Sequence, residues 1–68
     1  MKFITQVKAP TSCKAKAIAR NLLLKWSYAN EATVYIEKYR VGHLNNGNKK
    51  VEIEAKVGGY DGHGPIHL

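Results

Sequence analysis

The stretch Lys8-Ala9-Pro10-Thr11-Ser12-Cys13-Lys14-Ala15-Lys16 concentrates the groups best suited to hold an anion. Proline redirects the chain, two hydroxyls stand where a helix would begin, and lysines occupy its first turn. Exposed N–H groups at a helix start favour negative charge. Lysines there are otherwise unfavourable, because the helix dipole already places partial positive charge at that end. Either these lysines simply solvate the helix end, or they mark a site for an anionic ligand, most naturally a phosphate, with Lys8, Thr11, Ser12, Lys14 and Lys16 in contact. The Gly-rich GxxxxGK[ST] pattern of a nucleotide-binding loop is missing.

Cys13 falls in the same stretch. A thiol beside lysines at a helix start is a setting for nucleophilic chemistry. Cysteine phosphatases hold phosphate with a Cys-x5-Arg loop, but position 19 is alanine and Arg20 comes one residue late. Cys13 is thus read as a small apolar residue. His43, His63, His67 and Asp61 fit no compact metal-ligand spacing. No Ser/His/Asp set can be built from a single aspartate in a glycine-rich segment. The expectation is a non-enzymatic protein with no metal and no cofactor.

Charge extends the anion argument along the chain. Residues 1–30 hold six Lys/Arg and no Asp or Glu, whereas residues 31–68 hold five of each. The formal charge of +6 therefore belongs to the N-terminal segment. Such asymmetry points to phosphates, an acidic protein surface or anionic lipid, and of these nucleic acid or an acidic protein surface is the expected partner. Arg20 and Lys25 continue the basic series along the helix. Arg40, Lys49 and Lys50 add candidates from a later strand and a hairpin tip. No RNP-type aromatic motif, GxxG clamp or zinc-finger spacing is present, so binding should be independent of base sequence.

The elements that must position these residues follow from periodicity. Lys2–Ala9 alternates as a strand, with Phe3, Thr5, Val7 and Ala9 on one side. Cys13–Tyr28 lacks Gly and Pro and is rich in Ala, Leu, Lys and Arg, which makes it a helix. Thr11 or Ser12 would cap it, and Asn30 would end it. Ala32–Val41 is β-branched and aromatic, hence a strand. Asn45-Asn46-Gly47 is a hairpin turn. Lys49–Val57 alternates, with Val51, Ile53, Ala55 and Val57 inward and Lys50, Glu52, Glu54 and Lys56 outward.

In Ala32–Val41 strict alternation cannot serve both Val34/Ile36 and Tyr39/Val41. Either a β-bulge between about Glu37 and Gly42 switches faces, or Tyr35 and Tyr39 form an exposed aromatic row.

The expected fold is a single α+β domain, β-α-β-β over residues 1–57, with a three-stranded sheet and one helix on one face. The two strands flanking the helix should run parallel, with a right-handed crossover. Gly58–Leu68 should form a mostly irregular tail. The order, with hydroxyls at a helix start after the first strand, is similar in outline to the first half of the histidine phosphocarrier fold. Thr11-Ser12-Cys13 stand where that family carries a histidine, and its second helix is absent, so the likeness is one of topology and implies no activity.

The helix shows two apolar stripes. Ala15, Ile18, Ala19, Leu22 and Trp26 should pack on the sheet. Cys13, Ala17, Leu24 and Tyr28 form a second, between a seam of Lys14, Asn21 and Lys25 and one of Lys16, Arg20 and Ser27. One sheet cannot cover both. The second stripe is therefore a helix–helix homodimer interface, a docking site for another protein, or the resting place of a tail carrying Ile66 and Leu68.

Cys13 is the only cysteine, which excludes a disulfide within the chain and fits a reducing, cytoplasmic setting. No signal peptide is visible, and no apolar run reaches the roughly 20 residues a membrane span requires. Two functions remain. One is binding of the nucleic-acid backbone through the basic helix. The other is an inhibitor or adaptor of the phage- or mobile-element type, docking on a protein through Leu24 and Tyr28; that comparison rests on size and composition.

Overall fold

In a computed structural model describing residues 1–68, four strands and one helix run in the order β1 (Lys2–Val7), α1 (Ser12–Ala29), β2 (Thr33–His43), β3 (Lys49–Gly58) and β4 (Ile66–His67). The sheet order is β2-β3-β1-β4. β3 is antiparallel to both β1 and β2, so the two strands flanking the helix run parallel, as expected. The three main strands and the single helix match the expected α+β architecture. The last eleven residues are irregular up to Pro65 and then add β4, which pairs parallel to β1 through Phe3–Ile66 and Ile4–His67.

Alternation sorts the sheet into two faces. Phe3, Thr5 and Val7 of β1 and Val51, Ile53 and Ala55 of β3 are buried beneath the helix. β2 keeps the same sorting by skipping one residue: Ile36 pairs with Ala55 and Lys38 with Glu54, leaving Glu37 as a bulge. Val34 and Ile36 before it, and Tyr39 and Val41 after it, therefore all face the helix. This overturns the alternative of an exposed aromatic row. Tyr35 stands on the open face, 72% exposed, and Tyr39 stands half-buried on the other.

The helix starts where Thr11, in extended conformation, accepts a hydrogen bond from the Lys14 N–H at 3.2 Å. Thr11 is thus the N-cap, and Ser12 is the first helical residue. At the far end Asn30 Nδ2 donates to the Trp26 carbonyl at 2.9 Å. Glu31 then adopts φ +51, and the Ala32 N–H returns to the Ser27 carbonyl at 2.9 Å. This is a Schellman ending without the usual glycine.

The buried stripe of the helix is Ala15, Ala19 and Leu23, with Leu22 and Trp26 beside it. Ile18, expected inside, is 39% exposed, and Leu23, absent from either expected stripe, is fully buried. The small alanines let the first half of the helix approach the sheet closely. Further along, Leu23 and Trp26 supply the larger side chains that pack against the core. Trp26 stands edge-on to Phe3 (4.8 Å between centroids) and to Tyr60 (4.9 Å). The tail thus closes the core at the C-terminal end of the helix. It does not lie over the second apolar stripe, so tail coverage of Cys13, Ala17, Leu24 and Tyr28 is excluded.

Candidate polyanion interface

The expected site residues divide between the two faces of the molecule. Lys14, Lys16, Arg20 and Lys25 are all exposed along α1, and Lys8 is exposed on the connection that leads into it. No carboxylate lies within 4.0 Å of any of the five; the ion pairs of the chain are Lys50–Glu52 at 3.7 Å and Lys56–Glu37 at 4.0 Å. The helix has no acidic residue in its first turn. From Lys14 to Lys25 the cations span roughly 16 Å at 1.5 Å per residue.

The first turn keeps the groups expected to meet an anion on the outside. The Thr11 oxygen is used as an acceptor by the Lys14 N–H, which leaves its O–H hydrogen available as a donor. Ser12 is exposed beside it. Lys16 extends to within 5.9 Å of the Tyr39 ring centroid, so the ring helps to hold this ammonium at the helix border.

Arg40 and Lys50 belong to the other face. Arg40 pairs with Glu52 and Lys50 with Gln6 across the ladder, on the side of the sheet that the helix does not cover. Lys50 is engaged by Glu52. No single flat surface contains both these residues and the helix cations. Lys49, expected at the hairpin tip, points inward instead: it is 8% exposed, and its ammonium donates to the Ala9 carbonyl at 2.6 Å. Its role is to fasten the β1–α1 connection. The alternating pattern could have indicated this, because Lys49 shares parity with Val51 and Ile53.

The second stripe faces solvent. Cys13 and Ala17 are exposed, Leu24 is 38% exposed, and Tyr28 is 85% exposed. It forms a narrow apolar band with a basic seam on each side. Cys13 is a free thiol. No group of three or more His, Cys, Asp or Glu side chains is assembled that could hold a metal ion. No helix is long and apolar enough to cross a membrane.

The chain matches no protein-family model, no curated protein and no solved structure.

Proposed function

We propose that this chain is a small, non-enzymatic binding protein of the cytoplasm that docks on the phosphate backbone of nucleic acid through the exposed side of α1, without reading base sequence. One observation carries the reading. Lys14, Lys16, Arg20 and Lys25 project to solvent along α1, Lys8 is exposed on the connection before it, and none of the five is neutralised by a carboxylate. Cations left unpaired on one face attract a polyanion and gain by releasing its counterions. The O–H groups of Thr11 and Ser12 add hydrogen bonds to a phosphate at the helix start. The helix is short of the Asn, Gln and Arg side chains that read base edges, so phosphate contacts dominate. Arg40 and Lys50 stand outside this interface. A lone thiol and no disulfide suit a reducing compartment.

Salt titration tests the reading. With five phosphate contacts, log affinity for duplex should fall against log salt with a slope of roughly −4 to −5. Reversing Lys14, Lys16 and Arg20 together to Glu should abolish binding while circular dichroism stays unchanged. Full affinity in that variant at low salt would refute the assignment.

The exposure of Leu24 and Tyr28 between two basic seams supports a second reading, in which the helix docks on an acidic protein surface. Apolar anchors with a charged rim give a shallower salt dependence than phosphate neutralisation. Replacing Leu24 and Tyr28 with Ser would then cost most of the affinity, whereas a nucleic-acid backbone would hardly register the change.

A further inference from the structure

β2 lies at one end of the sheet, so one side of its eleven residues bonds to β3 and the other side is unpaired. The opposite edge is only the two-residue β4. A long free edge is a template for another strand unless something blunts it. The helix also under-covers this side. Val34, Ile36, Tyr39 and Val41 are each only half-buried, while Phe3, Val51 and Ile53 are sealed at 0%.

The bulge gives this edge a two-fold pattern. Lys38 faces the open side, and Glu37 shares that side, since its carboxylate reaches Lys56. Moving outward from this pair, Ile36 and Tyr39 face the helix, Tyr35 and Arg40 face the open side, and Val34 and Val41 face the helix. The order of faces is the same in both directions. Strict alternation would not produce this, because a mirror point between two residues requires two neighbours on the same face.

Residues directly opposite in an antiparallel pair share a face. A second copy laid antiparallel, with its Lys38 opposite Glu37, matches every pair: Glu37 with Lys38, Ile36 with Tyr39, Tyr35 with Arg40, and Val34 with Val41. Sliding by one or two residues in either direction sets a helix-facing side chain against an open-face one. The chemistry agrees as well as the facing. The central pair has opposite charges, and an Arg40 guanidinium meets a Tyr35 ring.

We infer that the β2 edge is a homodimer interface, two copies joining β2 to β2 about a two-fold axis at Glu37 and Lys38 to form one continuous sheet. The exposed helix stripe is a poorer self-interface, because each of its sides is lined with cations that a second copy would meet with cations. In the edge-joined dimer the axis is perpendicular to the sheet, so both helices lie on one face. Each helix contacts all three main strands and is centred on β3. The two would then run side by side three strand spacings apart, roughly 14 Å. That arrangement doubles the basic surface, a consequence that rests on the polyanion reading; the interface itself does not depend on it.

Sedimentation of the full chain without nucleic acid tests the inference. The wild type should dimerise. Glu37→Lys places Lys opposite Lys38, and Lys38→Glu places Glu opposite Glu37, so each variant alone should raise the dimer dissociation constant roughly tenfold or more. An equimolar mixture of the two restores opposite charges and should re-form a dimer, which also shows that both variants are folded. A wild type that stays monomeric at every attainable concentration overturns the proposal. So does a dimer that survives both reversals, a mixture that fails to recombine, or a dimer lost in Leu24→Lys. Nucleic-acid titration separates this result from the function. Monomeric variants that keep a steep salt dependence leave the polyanion reading standing, whereas a dimer without affinity for polyanions refutes that reading alone.

Discussion

The ammonium of Lys49 donates a 2.6 Å hydrogen bond to the carbonyl of Ala9, forty residues earlier in the chain. Both residues are buried, and the bond ties the start of β3 to the turn that leads from β1 into the basic helix. A charged donor inside a small domain stabilises it only while its partner stays in place.

Lys49→Met should therefore destabilise the fold by about 1–3 kcal/mol, as expected for losing a charged hydrogen bond and leaving the Ala9 carbonyl unpaired. Urea unfolding followed by circular dichroism measures it. Because Lys49 points inward, the slope of affinity against salt should not change. A fall in slope equal to that of a helix lysine would place Lys49 among the phosphate contacts after all.

Leu23 and Leu24 are adjacent, yet one is fully buried and the other 38% exposed. Leu23→Ala removes atoms from the centre of the core and should cost about 2–5 kcal/mol. That is comparable to the whole stability of so small a domain. Leu24→Ala should stay within about 0.5 kcal/mol. Thermal denaturation of the two variants side by side checks this. Equal losses would mean that the Leu24 face is covered in solution.

Most of the fold was legible because the strands alternate strongly and the turn and cap residues are specific. Pro10, Thr11, Asn30 and Asn46-Gly47 mark boundaries that the structure keeps to within two residues. The bulge was legible as a conflict of parity, since no single alternation could bury both Ile36 and Tyr39. Leu23 was misplaced because three consecutive leucines carry no periodicity of their own. Which of them turns inward depends on where the sheet lies. The split of the basic residues between two faces was hidden for a similar reason: it follows from the layering, to which the charge count is blind. β4 was missed because two residues following Gly64-Pro65 give no strand signal, and only the vacant edge of β1 recruits them.

Glu31 holds φ +51, the left-handed region, immediately after a helix with no basic residue in its last turn. A side chain in that conformation costs about 1–2 kcal/mol, and a carboxylate near the negative end of the helix adds to the cost. Glu31→Gly relieves both, against an extra unfolded-state entropy of about 0.4–1 kcal/mol. The net gain should approach about 1 kcal/mol, a rise of about 4–8 °C in midpoint for a domain of this size. An unchanged or lower Tm would show that the ending relaxes in solution.

Gly62 lies against the ring of Tyr60. A Cβ built there would fall 2.6 Å from the ring Cζ and Oη. Gly62→Ala therefore requires Tyr60 to swing away, and Tyr60 is the edge-on neighbour of Trp26. Losing that aromatic pair should cost about 0.5–1.5 kcal/mol. Trp26 is the only tryptophan, so its emission reports the change directly. A red-shifted spectrum with only modest destabilisation is expected, and Tyr60→Ala should reproduce it. An unaltered spectrum in both variants would show that the tail does not rest on Trp26 in solution.

The division of cations between two faces gives the sharpest check on the interface. Lys25 is exposed on the helix with no acidic neighbour, whereas Lys56 is exposed on the opposite face within 4.0 Å of Glu37. Either change to Gln removes one positive charge, so the effect on net charge is identical. If the helix side meets the phosphates, Lys25→Gln should reduce the magnitude of the salt slope by about 0.9, the value for one lost contact on duplex. Lys56→Gln should leave it unaltered and lower affinity only slightly, through the long-range field. Equal reductions would mean that the polyanion responds to total charge rather than to a face. A reduction confined to Lys56→Gln would move the interface to the open side of the sheet, where Arg40 and Lys50 would become its centre.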